Sequence, residues 1–357
     1  MDDLEYFLVG GAVRDQVLKR KNSDRDYVVV GANEKRMLER GFKKIGKSFP
    51  VFLHPDTGEE YALARTEKKQ GSGHSGFEIS ASADITLMQD LSRRDLTINA
   101  IALSSDGEFF DPHNGLEDLS NKVLRHVSEA FAEDPLRFFR VARFASQLPG
   151  FAIAEETLFL MRKMYRLESL DELSGERIWQ EFLKALEAPD PNRWFETLSD
   201  LQAYEPWFGV FSGKTFKIAP GSAIERFALL PLSEDEIQTF SDMLKIPKEF
   251  SQAAVDRVCH LEYFNSNSPK EANLAVYYDH LVALKALHNP FRLFFLLNLI
   301  EDEPLRAEWR SKSSHTLNVV KEHKEIIEKE TSSLLGREKG EGVKQARLKV
   351  LQDQFER

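Results

Sequence analysis

Two aspartates separated by one basic residue, Asp24 and Asp26, lead directly into Tyr27-Val28-Val29-Val30. On a strand, positions i and i+2 share a face and lie roughly 6–7 Å apart. Like charges so placed repel unless a cation lies between them. A pair of Mg²⁺ ions about 4 Å apart, shared with substrate phosphates, supplies that charge. The same aspartates could also be solvated turn residues at a strand start, so their neighbours decide. Glu60 is a candidate third carboxylate on an adjacent strand, although Glu59-Glu60 could equally face solvent.

Just upstream stands Leu8-Val9-Gly10-Gly11-Ala12-Val13-Arg14-Asp15. A strand, two glycines and then a helix bring phosphates onto free backbone N–H groups, and Arg14 is placed to add a charge. The spacing matches neither the dinucleotide-binding glycine pattern nor the P-loop. A triphosphate cradle beside a carboxylate pair suggests nucleotidyl transfer.

The elements that must position these residues fall into two kinds. Residues up to about 125 read as mixed α/β: strands over 6–9 and 26–30, helices over 12–18 and 34–40, and strands at 51–53 and 61–64 joined by the turn Pro55-Asp56-Thr57-Gly58. The stretch 66–86, with Gln70-Gly71-Ser72-Gly73-His74-Ser75-Gly76 inside it, reads as a flexible loop. From Glu133 onward the periodicity is only helical, with helices expected over 135–147, 155–165, 176–187, 192–201 and 233–244. Two more, over 314–335 and 342–355, are separated by Gly336 and the Gly340/Gly342 pair.

Composition narrows the class. The chain has 357 residues, 42% apolar and 30% charged, which suits a globular protein of two or three domains. No apolar run reaches membrane-helix length, the acidic start does not resemble a signal peptide, and one cysteine excludes an intrachain disulfide. A cytoplasmic protein is expected. The net charge of −10 requires any nucleic-acid partner to bind local clusters, such as Arg93-Arg94, residues 137–143 or the basic stretch after Arg310.

Taken in order, Gly-Gly-Ala-Val-Arg-Asp (10–15), Asp-Arg-Asp-Tyr-Val-Val-Val (24–30), Arg-Arg-Asp-Leu-Thr-Ile-Asn-Ala (93–100), Asp-Pro-His-Asn-Gly-Leu-Glu-Asp-Leu (111–119) and Glu-Asp-Pro-Leu-Arg-Phe-Phe-Arg-Val-Ala-Arg-Phe (133–144) resemble the class II tRNA nucleotidyltransferases, or CCA-adding enzymes. The resemblance is dense over residues 6–187. It implies an α+β fold: a polymerase-beta-like nucleotidyltransferase head (1–130), a helical neck that recognises the nucleotide base (131–190), and a helical body and tail that bind tRNA (191–357). By this resemblance Asp24 and Asp26 are the catalytic ligands of two Mg²⁺ ions, and Gly10, Gly11 and Arg14 hold the triphosphate. Arg94 and Asp95 contact phosphates and ribose, and Asn99 braces their turn.

Asp134, Arg137, Arg140 and Arg143 recur every three residues and span one side of a helix, leaving Phe138, Val141, Ala142 and Ala145 to face the core. Read without the resemblance, Asp134-Pro135 is simply a good helix start. With it, the four are candidates for base recognition. Asp accepts from the exocyclic amine of cytosine or adenine, and Arg donates to the neighbouring ring acceptor. CTP and ATP are the expected substrates and tRNA the expected partner, with no membrane and no identifiable protein partner. The glycine-containing loop implies complete CCA addition. No His-Asp dipeptide occurs and the chain is short, so no phosphohydrolase domain is expected. The alternatives are an enzyme adding only CC or only A, a poly(A) polymerase relative, an RNA-binding relative without catalysis and, last, a small-molecule adenylyltransferase.

Overall fold

Tyr6-Phe7-Leu8-Val9 and Tyr27-Val28-Val29-Val30 become the central strands of a seven-stranded mixed sheet. β1 (Glu5–Val9) runs antiparallel to β2 (Asp26–Val30), with Val9 opposite Asp26. β5 (Glu60–Leu63) lies parallel to β2 on its other side, with Glu60 opposite Asp26. β3 (Lys43–Ile45) and β4 (Val51–Leu53) extend that edge; β8 (Ala102–Leu103) and β9 (Phe109–Phe110) extend the other, giving the order β3-β4-β5-β2-β1-β8-β9. Alternation sends Val29 to one face, with Met37, Phe42, Phe52 and Tyr61, and Val28 to the other, with Val9, Leu91 and Ala100. The computed structural model describes residues 4–21, 25–45, 51–69, 77–81 and 83–355.

Helices α1 (Gly11–Val17) and α2 (Glu34–Glu39) follow β1 and β2, and Gly41, at φ 82°, ends the second. The stretch expected to be one loop contains more order: β6 (Arg65–Lys69) pairs antiparallel with β7 (Phe77–Ala81). The alternating pattern Phe-Glu-Ile-Ser-Ala carries that strand, while residues 70–76, where the glycines cluster, lie outside the described residues. A Thr86/Gln89 capping box then starts α3 (Leu87–Ser92). After β9 come α4 (Gly115–Asn121) and β10 (Val123–Leu124).

Helices α5 (Leu136–Gln147), α6 (Glu155–Arg166), α7 (Gly175–Glu187) and α8 (Asn192–Leu201) fall within two residues of expectation. The all-helical expectation needs one correction. β11 (Ala152–Ile153) pairs in parallel with β10, a two-residue ladder too short to leave an alternation. Phe138, Val141, Ala142 and Ala145 of α5 are all buried. Phe139 stacks on Trp194 of α8 at 5.7 Å, so α8 belongs to the first of two compact units, Met1–Ser212 and Gly213–Arg357.

The second unit contains α9 (Ala223–Ala228), α10 (Glu234–Leu244), α11 (Lys248–Asp256), α12 (Glu262–Ser266), α13 (Leu274–Ala283), α14 (Phe291–Asn298), α15 (Glu303–Glu322), α16 (Lys324–Glu330) and α17 (Gly336–Phe355). Ser222 and Ser233 form capping boxes with Glu225 and Glu236. Its core gathers Phe264, Tyr277, Leu281, Leu296 and Trp309, beside a buried Asp256 held by Arg292. Contrary to expectation, α17 runs straight through Gly340 and Gly342. A Cβ on Gly342 would stand 2.3 Å from the Leu334 side chain, so here glycine allows packing and does not break the helix. Among the described residues no helix is long and apolar enough to cross a membrane.

Candidate active site

The sheet register sets the site. Val9 opposite Asp26, and Asp26 opposite Glu60, place the glycine turn and two carboxylates at the same end of three adjacent strands. Gly10 has φ 71° and ψ −135°, a conformation that favours glycine. A Cβ there would also stand 3.1 Å from Arg94 Nη1, so the turn and this guanidinium lie against each other. The Arg14 guanidinium donates to both Asp15 oxygens, at 2.9 and 3.0 Å, and to Asn99 Oδ1 at 2.8 Å. It is therefore tied to the turn that carries Asn99.

Asp26 and Glu60 are exposed, and register partners of like charge destabilise a sheet unless a cation lies between them. That donor set, two hard oxygen ligands on adjacent strands, fits a Mg²⁺ ion. Asp24 lies outside the described residues. Among the described residues, no group of three His, Cys, Asp or Glu side chains forms a metal-binding cluster.

The Arg93-Arg94-Asp95 segment is organised by a residue that sequence reasoning missed. Asp90, only 1% exposed, accepts from Arg93 Nη2 at 2.9 Å, Arg94 Nη2 at 3.1 Å and the Arg65 backbone N–H at 3.2 Å. Burial alone would raise its pKa, but the Arg94 and Arg93 charges outweigh burial and lower it. Asp90 precedes the two arginines by three and four residues, one turn earlier on the same helix face, which is the signal that could have identified it. Arg94 Nη1 is 3.4 Å from the Asn99 carbonyl, and its Nε is buried without an acceptor.

Asp95 is buried beneath four donors: the Leu96 N–H at 2.8 Å, Asn99 Nδ2 at 3.0 Å, and Arg140 through Nε at 2.8 Å and Nη2 at 2.6 Å. Burial opposes ionisation, but the Arg140 charge and the Asn99 hydrogen bond hold the carboxyl well below the usual range. A carboxylate offers about four lone-pair sites. A ribose hydroxyl that reaches Asp95 must therefore displace a donor, and Arg140 is the only side chain here that brings two.

Asp134 lies two residues before α5, in extended backbone, and not on the helix expected to carry it with the three arginines. Its Oδ1 accepts from the Leu136 N–H at 3.2 Å and from Arg177 Nη2 at 3.3 Å, leaving Oδ2 as an acceptor. Arg137 donates to the backbone carbonyls of Ala130, at 3.0 Å, and Arg93. Arg140 is committed to Asp95. Arg143 donates to the buried Glu181 and, at 2.6 Å, to Gln147, with its guanidinium 3.9 Å from the Phe144 ring. Arg177 and Glu181 of α7 were also missed. Glu181 falls among Ile178, Phe182 and Ala185 on a core-facing stripe, where a buried carboxylate requires a cation partner.

A cavity of about 910 Å³ joins these groups: Gly10, Gly11, Arg14, Asp26, Glu60, Arg94, Asp95, Asn99, Asp134, Arg137, Arg140 and Arg143 all line it. Below it, Thr97 donates to the buried Asp118 at 2.6 Å. Gly115 lies so close that a Cβ would meet the Thr97 carbonyl oxygen at 2.2 Å. The Asp111 carboxylate fixes the start of α4 by accepting from the Gly115 and Leu116 N–H groups, at 2.7 and 2.8 Å. The Asp-Pro-His-Asn-Gly stretch thus supports the turn that carries Asn99. His54 caps a turn by accepting from the Thr57 N–H, and His113 and His126 pair with Ser92 and Thr157.

Residues 6–125 match the family model described as the poly A polymerase head domain, and residues 150–212 the one described as a probable RNA and SrmB-binding site of polymerase A. The CCA-adding enzyme of Coxiella burnetii (strain RSA 493) is 42% identical over 336 residues, covering 91% of this chain and 86% of that protein. The chain belongs to the CCA-adding enzyme family. The multifunctional CCA protein of Psychromonas ingrahamii is 56% identical over 202 residues, but the match spans only 49% of its length. Among solved structures, the Bacillus stearothermophilus CCA-adding enzyme in complex with CTP covers 99% of this chain and 90% of its own, at TM-score 0.71 and 22% identity. The Thermotoga maritima CCA-adding enzyme complexed with tRNA covers 98% and 87%, at TM-score 0.64 and 20% identity. These two likenesses establish the fold: an α+β head followed by helices.

Proposed function

We propose that this chain adds C, C and A to the 3′ end of tRNA from CTP and ATP, without a nucleic-acid template, releasing pyrophosphate at each step. The observation that carries the reading is the single cavity that gathers the glycine turn, the Asp26–Glu60 carboxylates, Arg94 and the polar face of α5. In a chain of net charge −10, this one cavity is lined by eight arginines and Lys184 against six carboxylates, a local excess of positive charge that favours a triphosphate.

In this reading Gly10, Gly11 and Arg94 receive the β- and γ-phosphates, with Arg14 holding the turn through Asn99. Asp24, Asp26 and Glu60 would hold two Mg²⁺ ions, which when bound offset the triphosphate charge and acidify the attacking 3′-hydroxyl. That hydroxyl attacks the α-phosphorus, and the bond to the pyrophosphate oxygen breaks. Asp95 accepts from the ribose once Arg140 yields a place on its carboxylate. Asp134 Oδ2 accepts the exocyclic amine of cytosine or adenine while Arg137 donates to the adjacent ring acceptor. Uracil and guanine present a carbonyl to Asp134 and are rejected. Arg140 and Arg143, braced by Asp95 and Glu181, hold the α5 face in place. The second unit would bind the tRNA body through its phosphates and shape.

The test is nucleotide choice. Asp134→Ala should lower incorporation of C and A and reduce their advantage over U and G by about tenfold or more, the worth of one good base contact. Unchanged selectivity in Asp134→Ala and Arg137→Ala would overturn the base-reading role.

A further inference from the structure

The second unit has a cavity of its own, about 1190 Å³, formed by α14, α15, α16, α17 and the segment before α14. Its lining combines two chemistries. Phe294, Leu287, Leu317 and Val343 supply an aromatic and aliphatic floor, and Lys321, Lys339 and Arg347 supply cations around it. Neither Lys321 nor Lys339 has a carboxylate partner among the described residues. Arg347 donates from Nη1 to the Tyr278 hydroxyl at 3.2 Å, while its Nε is buried without an acceptor. Glu328 is the single carboxylate in the lining, and Lys324 lies 3.7 Å from it. This acidic chain thus gathers a net positive charge around a cavity with ample room for a nucleotide.

We propose that this cavity is a second nucleotide site, separate from the candidate active site. It takes one nucleobase against Phe294 and the aliphatic floor, and the attached phosphate on Lys321, Lys339 and Arg347. A flat ring beside cations is the pairing that recognises single nucleotides by stacking and charge. The phosphate-bearing nucleotide can come from an unstacked position of an RNA chain or from a free nucleoside monophosphate. The choice of nucleotide chemistry rests on the RNA-directed reading above, but the test does not depend on catalysis.

The experiment uses the full chain, a tRNA transcript ending at the discriminator base, and AMP as free probe. Tight binding of the transcript is measured by filter retention across a salt series, and AMP stoichiometry by equilibrium dialysis. Lys321→Glu/Lys339→Glu reverses two exposed charges, and Phe294→Leu keeps apolar volume while removing the ring. Lys248→Glu, a charge reversal on α11 away from the cavity lining, is the control. If the nucleotide belongs to RNA, the double variant binds the transcript at least tenfold more weakly, with a salt dependence shallower by about two ions. Phe294→Leu then weakens binding about fivefold, and the control does neither. If the nucleotide is free, AMP stoichiometry falls by one in both cavity variants and transcript binding is unchanged. A double variant that melts like wild type and keeps both transcript affinity and AMP stoichiometry overturns the proposal, as does an equal loss in the Lys248→Glu control. A wild-type chain that binds transcript through this cavity yet never extends it would sink the transferase reading and leave this site standing.

Discussion

Asp90→Asn is the substitution that separates positioning from mere structure in the half of the candidate site proposed to take the phosphates. The side chain keeps its shape but loses its charge, and an NH₂ group then faces guanidinium donors. Asp90 accepts from Arg93, Arg94 and the Arg65 backbone while almost fully buried. Breaking a buried ion pair costs about 3–5 kcal/mol. Both arginines are about one-fifth exposed and can turn toward water, which reduces the expected loss of stability to about 2–3 kcal/mol, below that range. The sign with pH follows from the lowered pKa. The stabilisation is fully present above the unfolded value near ~3.9 and disappears as pH falls toward the lower folded value. The two proteins should therefore differ most in melting temperature above about pH 4 and converge below it. For function, Arg94 is no longer aimed at the Gly10 turn, and a displacement of about 1 Å in a positioning group costs up to about 100-fold. Competitive inhibition of CTP incorporation distinguishes the roles. Inhibition by pyrophosphate should weaken about tenfold in Asp90→Asn and recover in part in Asp90→Glu, while inhibition by CMP stays constant. Equal weakening toward both inhibitors, or toward neither, would refute the positioning argument.

Three further outcomes follow from the same geometry. Gly115→Ala drives a methyl group into the Thr97 carbonyl and Ile101, and should cost about 3 kcal/mol in thermal unfolding and lower kcat/KM, since the Asn99 turn rests there. Arg177→Ala removes a partly exposed charged donor from Asp134, and should reduce the preference for CTP over UTP about tenfold in single-turnover incorporation. His260 and His280 face each other through Nδ1 atoms 3.0 Å apart, and burial lowers the pKa of both. Each prefers to be neutral in the fold, so the second unit should lose stability as pH falls below about 6.5, and His280→Gln should flatten that loss in calorimetry.

Much of the site could be read from local pattern because its residues come in short runs with fixed local geometry. Gly10-Gly11 needs a conformation few residues adopt, and Asp26 begins a strand whose register alone brings Glu60 and Val9 beside it. The members of α5 share a face through helical period. What escaped was mostly tertiary. Arg177 and Glu181 act by pairing across elements, and sequence spacing does not report that Glu181 of α7 meets Arg143 of α5; Asp90 was legible in its three- and four-residue spacing to Arg93 and Arg94. The two-residue strands β8, β9 and β11 are too short for an alternation to emerge. The glycines of α17 look like breakers because only the packed structure reveals Leu334 lying against Gly342.

The central claim is tested most directly on a tRNA transcript ending at the discriminator base, with Mg²⁺ and CTP, ATP or both, read at single-nucleotide resolution. The account predicts growth by two residues with CTP alone and by three with both, and none in Asp26→Ala, which should still bind the transcript. Growth that stops at two with both nucleotides would contradict complete CCA addition, and no growth at all would contradict the enzymatic reading itself.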